Sequence, residues 1–570
     1  MKRILKYYLK PHYIRMLIGF TIKFIGTIMD LLLPWILAKM IDEIIPQDSI
    51  RLIIVWGIAM IFCSIVAMTF NIAANRMAAR VARDTTGEIR GDLFHKVMYL
   101  SNKEIDSITK PSIISRLTSD TYHVHQMIGM TQRLGVRTPI LLVGGIIVTL
   151  SLDRHLAYIL LAVMPLIGIL LYYITKKSIP MYDKLQRVTD RFVRVVREDI
   201  SGIRVIKALS KTKYEEGRFA KTNEEVVNQE KKAGILMAFI NPAMNVLLNI
   251  GLVLVIILGA YRVNKGLSQV GVILAFMTYF TLILNAMMSI ARIFTVASKG
   301  IASANRIMEI IETEEENVIA LSISKEENVR KKAYIEFNHV SFAYEEENVL
   351  TDISFTLEKG ETLGIIGATG AGKTTIVNLI MRMYEITKGN IYIDGIDIRE
   401  MDLKQLRQKF GAVFQNDTIF EASITENIRL GRELTKQEIE KGAKYAKASE
   451  FIEKEKGYEG HVNIKGGNLS GGQKQRIMIA RALAGKPEIL ILDDSSSALD
   501  YKTDAALRRE IKEHFKGTTT IIVAQRISSI KHADKIVVLE AGKVIGYGTH
   551  DDLMNTCSIY QEISLSQMGI

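Results

Sequence analysis

Six apolar runs, each close to the length that crosses a bilayer, lie before about residue 300, and none lies after it. A hydrocarbon core about 30 Å thick takes roughly 20 apolar residues of helix. Inside it every backbone N–H and C=O must find its partner within the protein, which leaves helices or a closed barrel. The runs, at about 13–39, 52–74, 136–151, 156–174, 235–261 and 270–294, therefore predict six spanning helices. The remainder is charged and punctuated by glycine, in the manner of an α/β domain. With 48% hydrophobic residues in 570, two ordinary soluble domains are excluded. The chain divides into a membrane domain over 1–311, a Glu-, Asn- and Lys-rich linker over 312–332, and a second domain over 333–570.

The connections between spans alternate in length. About sixty charged residues separate spans two and three, and again four and five, while the other links are short. Arg76, Arg80, Arg83 and Arg90 in the first long connection, and Lys176, Lys177, Arg191, Arg194 and Arg197 in the second, place both on the cytosolic side together with the basic N-terminus. Asp42, Glu43 and Asp48 then face outward. The formal net charge of +12 follows from this topology, so no nucleic-acid partner is expected. Cys63 and Cys557 form no disulfide framework, and the first run is too long for the apolar core of a cleavable signal peptide. The location expected is the cytoplasmic membrane, multi-pass, with the N-terminus and the second domain in the cytosol.

Each long connection reads as a pair of spans continued outward as helices and reversed by a short turn, near 107–120 and 202–216. Each turn is a candidate lever against the second domain. Within the spans, Asp30 and Lys23 stand out because a charge in a bilayer is expensive. Lys23 is expected to snorkel to an interface, and Asp30 to contact cationic cargo or gate the outer face. Met244, Phe276, Met277, Tyr279, Phe280, Met287 and Met288 offer an adaptable apolar lining for a cavity, or plain helix packing.

The second domain carries the chemistry. Glu361–Ile366 reads as a strand, Gly367-Ala368-Thr369-Gly370-Ala371-Gly372-Lys373-Thr374 as a phosphate-binding loop, and the run from Thr375 as a helix. In that context backbone N–H groups and the helix start cradle phosphates, Lys373 reaches the outer ones, and Thr374 turns its hydroxyl to Mg²⁺. A second apolar strand, Ile489–Leu492, ends at Asp493, the expected metal-side carboxylate. Leu469-Ser470-Gly471-Gly472-Gln473 is a further glycine-rich turn ahead of a helix, hence a second anion-directed helix start.

That last segment, with six spans before it, makes the chain resemble an ABC exporter half-transporter along essentially all 570 residues. The resemblance implies an α-helical six-span membrane domain with long cytosolic extensions, then an α/β ATPase domain with antiparallel β and helical subdomains. It implies ATP and Mg²⁺ as ligands, the lipid bilayer as surroundings, and two domains sandwiching two ATPs, each signature segment serving the partner's nucleotide. It gives Tyr344 and Thr375 to ATP, Gln415 with Thr374 and Asp493 to Mg²⁺ and water, and Ser497-Ala498-Leu499-Asp500 to the loop after the metal strand.

Three positions depart from the family's pattern. Asp494 stands where the catalytic glutamate belongs, Gln525 where the switch histidine belongs, and Ile464 where a glutamate often precedes the signature. A carboxylate one methylene short is misplaced by about 1 Å, worth about 100-fold in rate, and a glutamine takes no proton near neutral pH. In this the chain is similar to the degenerate-site subunit of bacterial heterodimeric multidrug exporters. The expectation is therefore ATP-driven export of amphipathic, hydrophobic small molecules beside a second, non-identical half that supplies the competent site. Export of lipid or peptide, a homodimer, and an ATP-gated channel or regulator are the alternatives.

Overall fold

The structure, a computed structural model, describes residues 2–316, 333–415, 418–455, 457–495 and 499–568. Two compact units are present: 1–98 with 110–313, and 99–109 with 314–570. The membrane domain is thus not the unbroken stretch 1–311 expected, because eleven of its residues pack with the ATPase unit. Residues 317–332 of the expected linker lie outside the described residues.

Among the described residues of the first unit, six helices are long and apolar enough to cross a membrane: Lys6–Gln47, Ile50–Met98, Lys110–Leu152, Arg154–Ser201, Thr212–Asn264 and Val270–Glu312. The second, 49 residues long, rises about 74 Å at 1.5 Å per residue. That is over twice the bilayer core, so the span continues as helix beyond it. Ile54, Ile58, Ile61, Phe62 and Ile65 lie exposed along this helix, an apolar surface that suits lipid. Close helix contact is set by small residues. A Cβ on Gly251 would lie 2.3 Å from the Phe280 ring. Near the C-terminal end of the first spanning helix, the two Asp42 carboxylate oxygens accept from the backbone N–H groups of Gly271 (2.6 Å) and Val272 (3.0 Å), finishing the start of the last helix.

The proposed cargo lining resolves into packing. Met244, Phe276, Tyr279 and Phe280 are fully or nearly fully buried among the spanning helices. The Tyr279 hydroxyl donates to the Leu31 carbonyl at 2.5 Å. Met287 and Met288 pack against the same core, half-buried.

The turns also differ from expectation. Short helices Asn102–Ile108 and Ile203–Ala208 make the reversals. Residues 110–120, expected within the first turn, already belong to the third spanning helix. Pro111 is the reason: its fixed φ and missing N–H break a helix interior but suit a first turn. Ser101 caps Asn102–Ile108, its hydroxyl accepting from Glu104 N at 3.3 Å.

The second unit contains strands β1 (Ile335–Ala343), β2 (Asn348–Leu357), β3 (Thr362–Gly367), β4 (Lys388–Ile393), β5 (Ile396–Asp397), β6 (Phe410–Val413), β7 (Ala422–Ser423), β8 (His461–Val462), β9 (Ile489–Asp493), β10 (Thr519–Val523), β11 (Lys535–Glu540) and β12 (Lys543–Gly548). An antiparallel sheet has the order β2-β1-β4-β5, and the main sheet β12-β11-β3-β10-β9-β6, parallel except for β12. Burial on both faces explains the continuous apolar runs of β3, β9 and β10. Phe337, Ile365, Ile376 and Ile491 join the two sheets in one core. On the other side, helices Lys436–Tyr445 and Gly471–Ala484 contribute to a second. Residues 99–109 enter this unit by polar contacts. Asn102 Nδ2 donates to Met383 O (3.3 Å), Tyr384 donates its hydroxyl to Asp106 Oδ2 (2.5 Å), and Glu316 N donates to Tyr99 O (2.8 Å).

Candidate nucleotide site

The parallel sheet brings the carboxyl ends of β3, β9 and β10 side by side, where ligands bind in open α/β sheets. Between them lies a cavity of about 270 Å³ lined by Thr369, Gly370, Gly372, Lys373, Thr374, Thr375, Gln415, Asp493, Asp494 and Gln525, among others. The loop leaving β3 needs its glycines. A Cβ on Gly367 would sit 2.3 Å from Leu539 O, and Gly372, at φ +95°, would drive one to 2.5 Å from Leu350. Ala371 is buried beneath the loop, while Ala368 is exposed on it. Helix Lys373–Ile380 then begins on Gly372 with no side-chain cap, leaving its first N–H groups directed at the cavity. The Lys373 ammonium donates to the carbonyls of Gly367 and Ala368, each at 2.8 Å, across the loop. Burial pulls this lysine's pKa down against the fields of Asp493 and Asp494.

Asp493 is 1% exposed, and its Oδ2 is buried without a hydrogen-bond partner. Burial pushes its carboxyl above the usual range and Asp494 adds to the rise, while a bond from the Thr374 hydroxyl and the Lys373 charge oppose it. An orphaned buried carboxylate oxygen beside a threonine hydroxyl suits a hard divalent cation such as Mg²⁺.

Asp494 follows with a left-handed backbone, φ 49°, which aspartate tolerates better than most residues. Its N–H donates to Val523 O (2.9 Å). Its C=O accepts from Gln475 Nε2 at 3.4 Å. Gln525 Nε2 donates to the Asp494 carboxylate at 2.9 Å, and Gln415 Nε2 approaches the same oxygen at 3.5 Å. Burial raises this carboxyl too, against Lys373, Arg526 and the Gln525 bond. Two of the three departures from pattern, Asp494 and Gln525, thus touch each other.

Tyr344 stands beside the loop, its hydroxyl 3.4 Å from Thr375 Oγ1 and its ring edge-to-face with Phe342 and Tyr384. It lines a neighbouring cavity of about 560 Å³ rather than the phosphate cleft itself. The signature segment belongs to another end of the unit. Leu469 packs against the core, whereas Ser470 and Gly471 are exposed and Gly472 half-buried. Ser470 Oγ accepts from Gln473 N (3.3 Å) and Gln473 Oε1 accepts from Ser470 N (2.7 Å), a capping box. Asp500 caps helix Tyr501–His514 and Leu499 is buried, while Ser497 and Ala498 lie outside the described residues.

The residues 16–287 match the ABC transporter transmembrane region, and 350–497 the ABC transporter family of ATPase domains. The chain is 34% identical over 566 residues to the ABC transporter ATP-binding protein YfiB of Bacillus subtilis, covering 99% of this chain and 98% of YfiB. The chain is an ABC transporter. This transporter is also 32% identical over 495 residues to the fatty acid ABC transporter ATP-binding/permease protein of Mycobacterium tuberculosis, covering 86% and 78% of the two chains. It superimposes on a bacterial Atm1-family ABC exporter solved with ATP bound, with a TM-score of 0.80, 25% identity, and 97% and 99% coverage. It is therefore an ATP-hydrolysing ABC exporter half, a multi-pass membrane protein that binds ATP and dimerises.

In the spans of this transporter, Asp30 is found paired and Lys23 departs from expectation. Asp30 Oδ2 accepts from Arg137 Nη2 at 3.1 Å and Asn71 Nδ2 at 3.3 Å, so a cation of the chain itself occupies it. Lys23 does not snorkel. It is 3% exposed and donates to Asn75 Oδ1 at 3.1 Å. Sequence reading missed Gln475 and Arg526 at the cleft and Tyr384 behind Tyr344. Arg526 follows Gln525 directly, and that adjacency was the available signal, whereas Gln475 and Tyr384 sit in no phosphate-loop pattern.

Proposed function

We propose that this chain is the slow-site half of a heterodimeric exporter of amphipathic compounds in the cytoplasmic membrane. Its N-terminus and ATPase unit face the cytosol. The observation that carries the reading is the 2.9 Å bond from Gln525 to Asp494. A glutamine amide in that place holds the carboxylate toward itself, and aspartate is already one methylene short of a glutamate's reach. Placing a water for attack on a phosphate tolerates little error, and a misplacement of about 1 Å costs about 100-fold.

Nucleotide holding is a separate matter. Lys373 and the N–H groups of the loop from Gly367 to Thr374 take the phosphates, Thr375 closes the loop against Tyr344, and Tyr344 takes the adenine. Thr374, Asp493 and Gln415 hold Mg²⁺, which supplies charge neutralisation between the outer phosphates. Ser470, Gly471, Gly472 and Gln473, with Leu469 packed behind them, serve the nucleotide of the partner, as do Ser497, Ala498, Leu499 and Asp500. An amphipathic cargo agrees with the membrane setting and with the fatty acid for which the mycobacterial relative is named.

The test has two arms. Gentle purification of the tagged chain should bring down a second ABC half with glutamate and histidine at the two departing positions. With that partner's site disabled, Asp494→Glu combined with Gln525→His should raise phosphate release about 10- to 100-fold. Recovery of this chain alone as an active dimer, or no rise in the double variant, would overturn the slow-site assignment.

A further inference from the structure

The geometry points to a binding site for the acidic headgroup of an amphiphile between the first three spanning helices, made by Lys23, Arg133 and Arg137. It rests on the export reading above and gives the cargo of that reading a sign of charge. The expectation from Asp30 was a cationic cargo. With Arg137 paired to Asp30, the balance turns the other way.

Lys23 lies on the first of these helices, Asn71 and Asn75 on the second, and Arg133 and Arg137 on the third, one turn apart and so on one face. Arg133 Nε donates only to its own helix, at Gly129 O, 3.0 Å. The positive fields of Arg137 and Arg133 both reach Lys23, against the single negative field of Asp30. Among the described residues, Lys23 thus faces two arginines and one carboxylate, and that carboxylate is bonded to Arg137. Cations so placed are costly and mark functional sites.

The second observation concerns polar atoms with nothing to bond. Arg137 Nε and Gln132 Nε2 are buried donors without a hydrogen-bond partner, and Asn71 Oδ1 is a buried acceptor without one. Each such donor keeps its full desolvation cost unless something enters to accept from it. A carboxylate or phosphate accepts from Arg137 Nε and supplies the missing negative charge. A hydroxyl beside that anion suits Asn71 Oδ1.

Depth sets the rest of the ligand. Lys23 lies about 15 Å along the helix axis from Tyr13, at 1.5 Å per residue. Asn71 and Asn75 are at the end of the second apolar run, and Arg137 is at the beginning of the third. The cluster therefore lies between the middle of the bilayer and the end of the spans that continues into the long extensions, within one leaflet. A ligand with an acidic head there has its tail in the apolar region.

The same chemistry belongs to an exported acidic amphiphile and to an acidic lipid of the bilayer, and one experiment separates them. The purified transporter, with whatever partner accompanies it, is placed in phosphatidylcholine vesicles. Its thermal stabilisation is followed with an alkanoate, an alkyl phosphate and an alkyl trimethylammonium of equal chain length. The two anions should stabilise it and the cation should not, and Arg133→Gln should raise the half-maximal alkanoate concentration about tenfold, with Arg133→Lys recovering most of the loss. The paired variant Asp30→Asn with Arg137→Gln, which leaves neither partner stranded, should show the same shift. Equal stabilisation by the cation, or no shift in either variant, would overturn the site.

ATP-dependent accumulation of the alkanoate in inside-out vesicles supports the site as a cargo site. Loss of the alkanoate response on adding phosphatidylglycerol, without accumulation, supports it with bilayer lipid as occupant. Failure of every amphiphile to accumulate, with anion stabilisation intact, sinks the export reading and leaves the site standing.

Discussion

Two helices of the ATPase unit begin on glycine-rich turns, and they are finished differently. Lys373–Ile380 starts on Gly372 with no side chain bonded to its first N–H groups, so that end is incomplete until something anionic arrives. Gly471–Ala484 starts on Ser470 and is already closed by the reciprocal bonds of Ser470 and Gln473. The first is a socket for the chain's own ligand. The second holds its shape without one, and the Ser470 hydroxyl, which accepts from Gln473 N, keeps its own proton free to donate. Motif spacing makes the two look alike, and capping tells them apart.

The sharpest way to break the contrast is Lys373→Ala. It should weaken nucleotide binding at this chain's cleft by 100-fold or more in an equilibrium assay, because the lysine both carries charge and ties the loop carbonyls together. Unchanged binding would mean the open helix end suffices alone. Next comes Ser470→Arg, which should lower phosphate release by the whole dimer at least tenfold while leaving nucleotide binding at this chain's own cleft intact. If binding here fell as well, the two ends would not be serving different nucleotides.

A smaller effect tests the orphaned carboxylate. Because burial raises the Asp493 pKa, the folded chain holds that proton more tightly than the unfolded chain does. Stability without metal therefore falls as pH rises through the elevated carboxyl range. Asp493→Asn should raise the melting temperature of the metal-free protein by a few degrees at neutral pH and abolish stabilisation by Mg²⁺ with ATP. In the native chain, that Mg²⁺ stabilisation should fade on acidification at a higher pH than an ordinary aspartate would give. The smallest expected change is that of Tyr384→Phe, which removes the bond to Asp106 but keeps the ring against Tyr344. A loss of two- to fivefold in cargo-stimulated turnover, with basal turnover and nucleotide affinity unmoved, would mark Tyr384 as a coupling residue.

Most of the fold was legible because its constraints are local. Apolar length gave six spans, and the strand, loop and helix around Lys373 were announced by hydrophobic runs and glycines a few residues apart. What was not legible came from residues far apart in sequence. Asp30 reads as a lone carboxylate until Arg137, more than a hundred residues on, is found against it. Phe276 and Tyr279 read as cavity lining or packing alike, because periodicity does not say which neighbouring helix covers a face. The turn expected near 107–120 ran too long because Pro111, whose missing N–H suits a first turn, opens the next helix.

The placement of residues 99–109 within the ATPase unit carries a consequence for anyone cutting the molecule apart. A soluble fragment beginning at 333 would leave the Tyr384 hydroxyl and the Met383 carbonyl bare, and Arg407 without the two bonds it makes to Glu316. The folding unit is a knot of two stretches of chain rather than one. A synthetic peptide of residues 99–109, added to such a fragment, should cover Tyr384 and Met383 again while leaving Arg407 without Glu316.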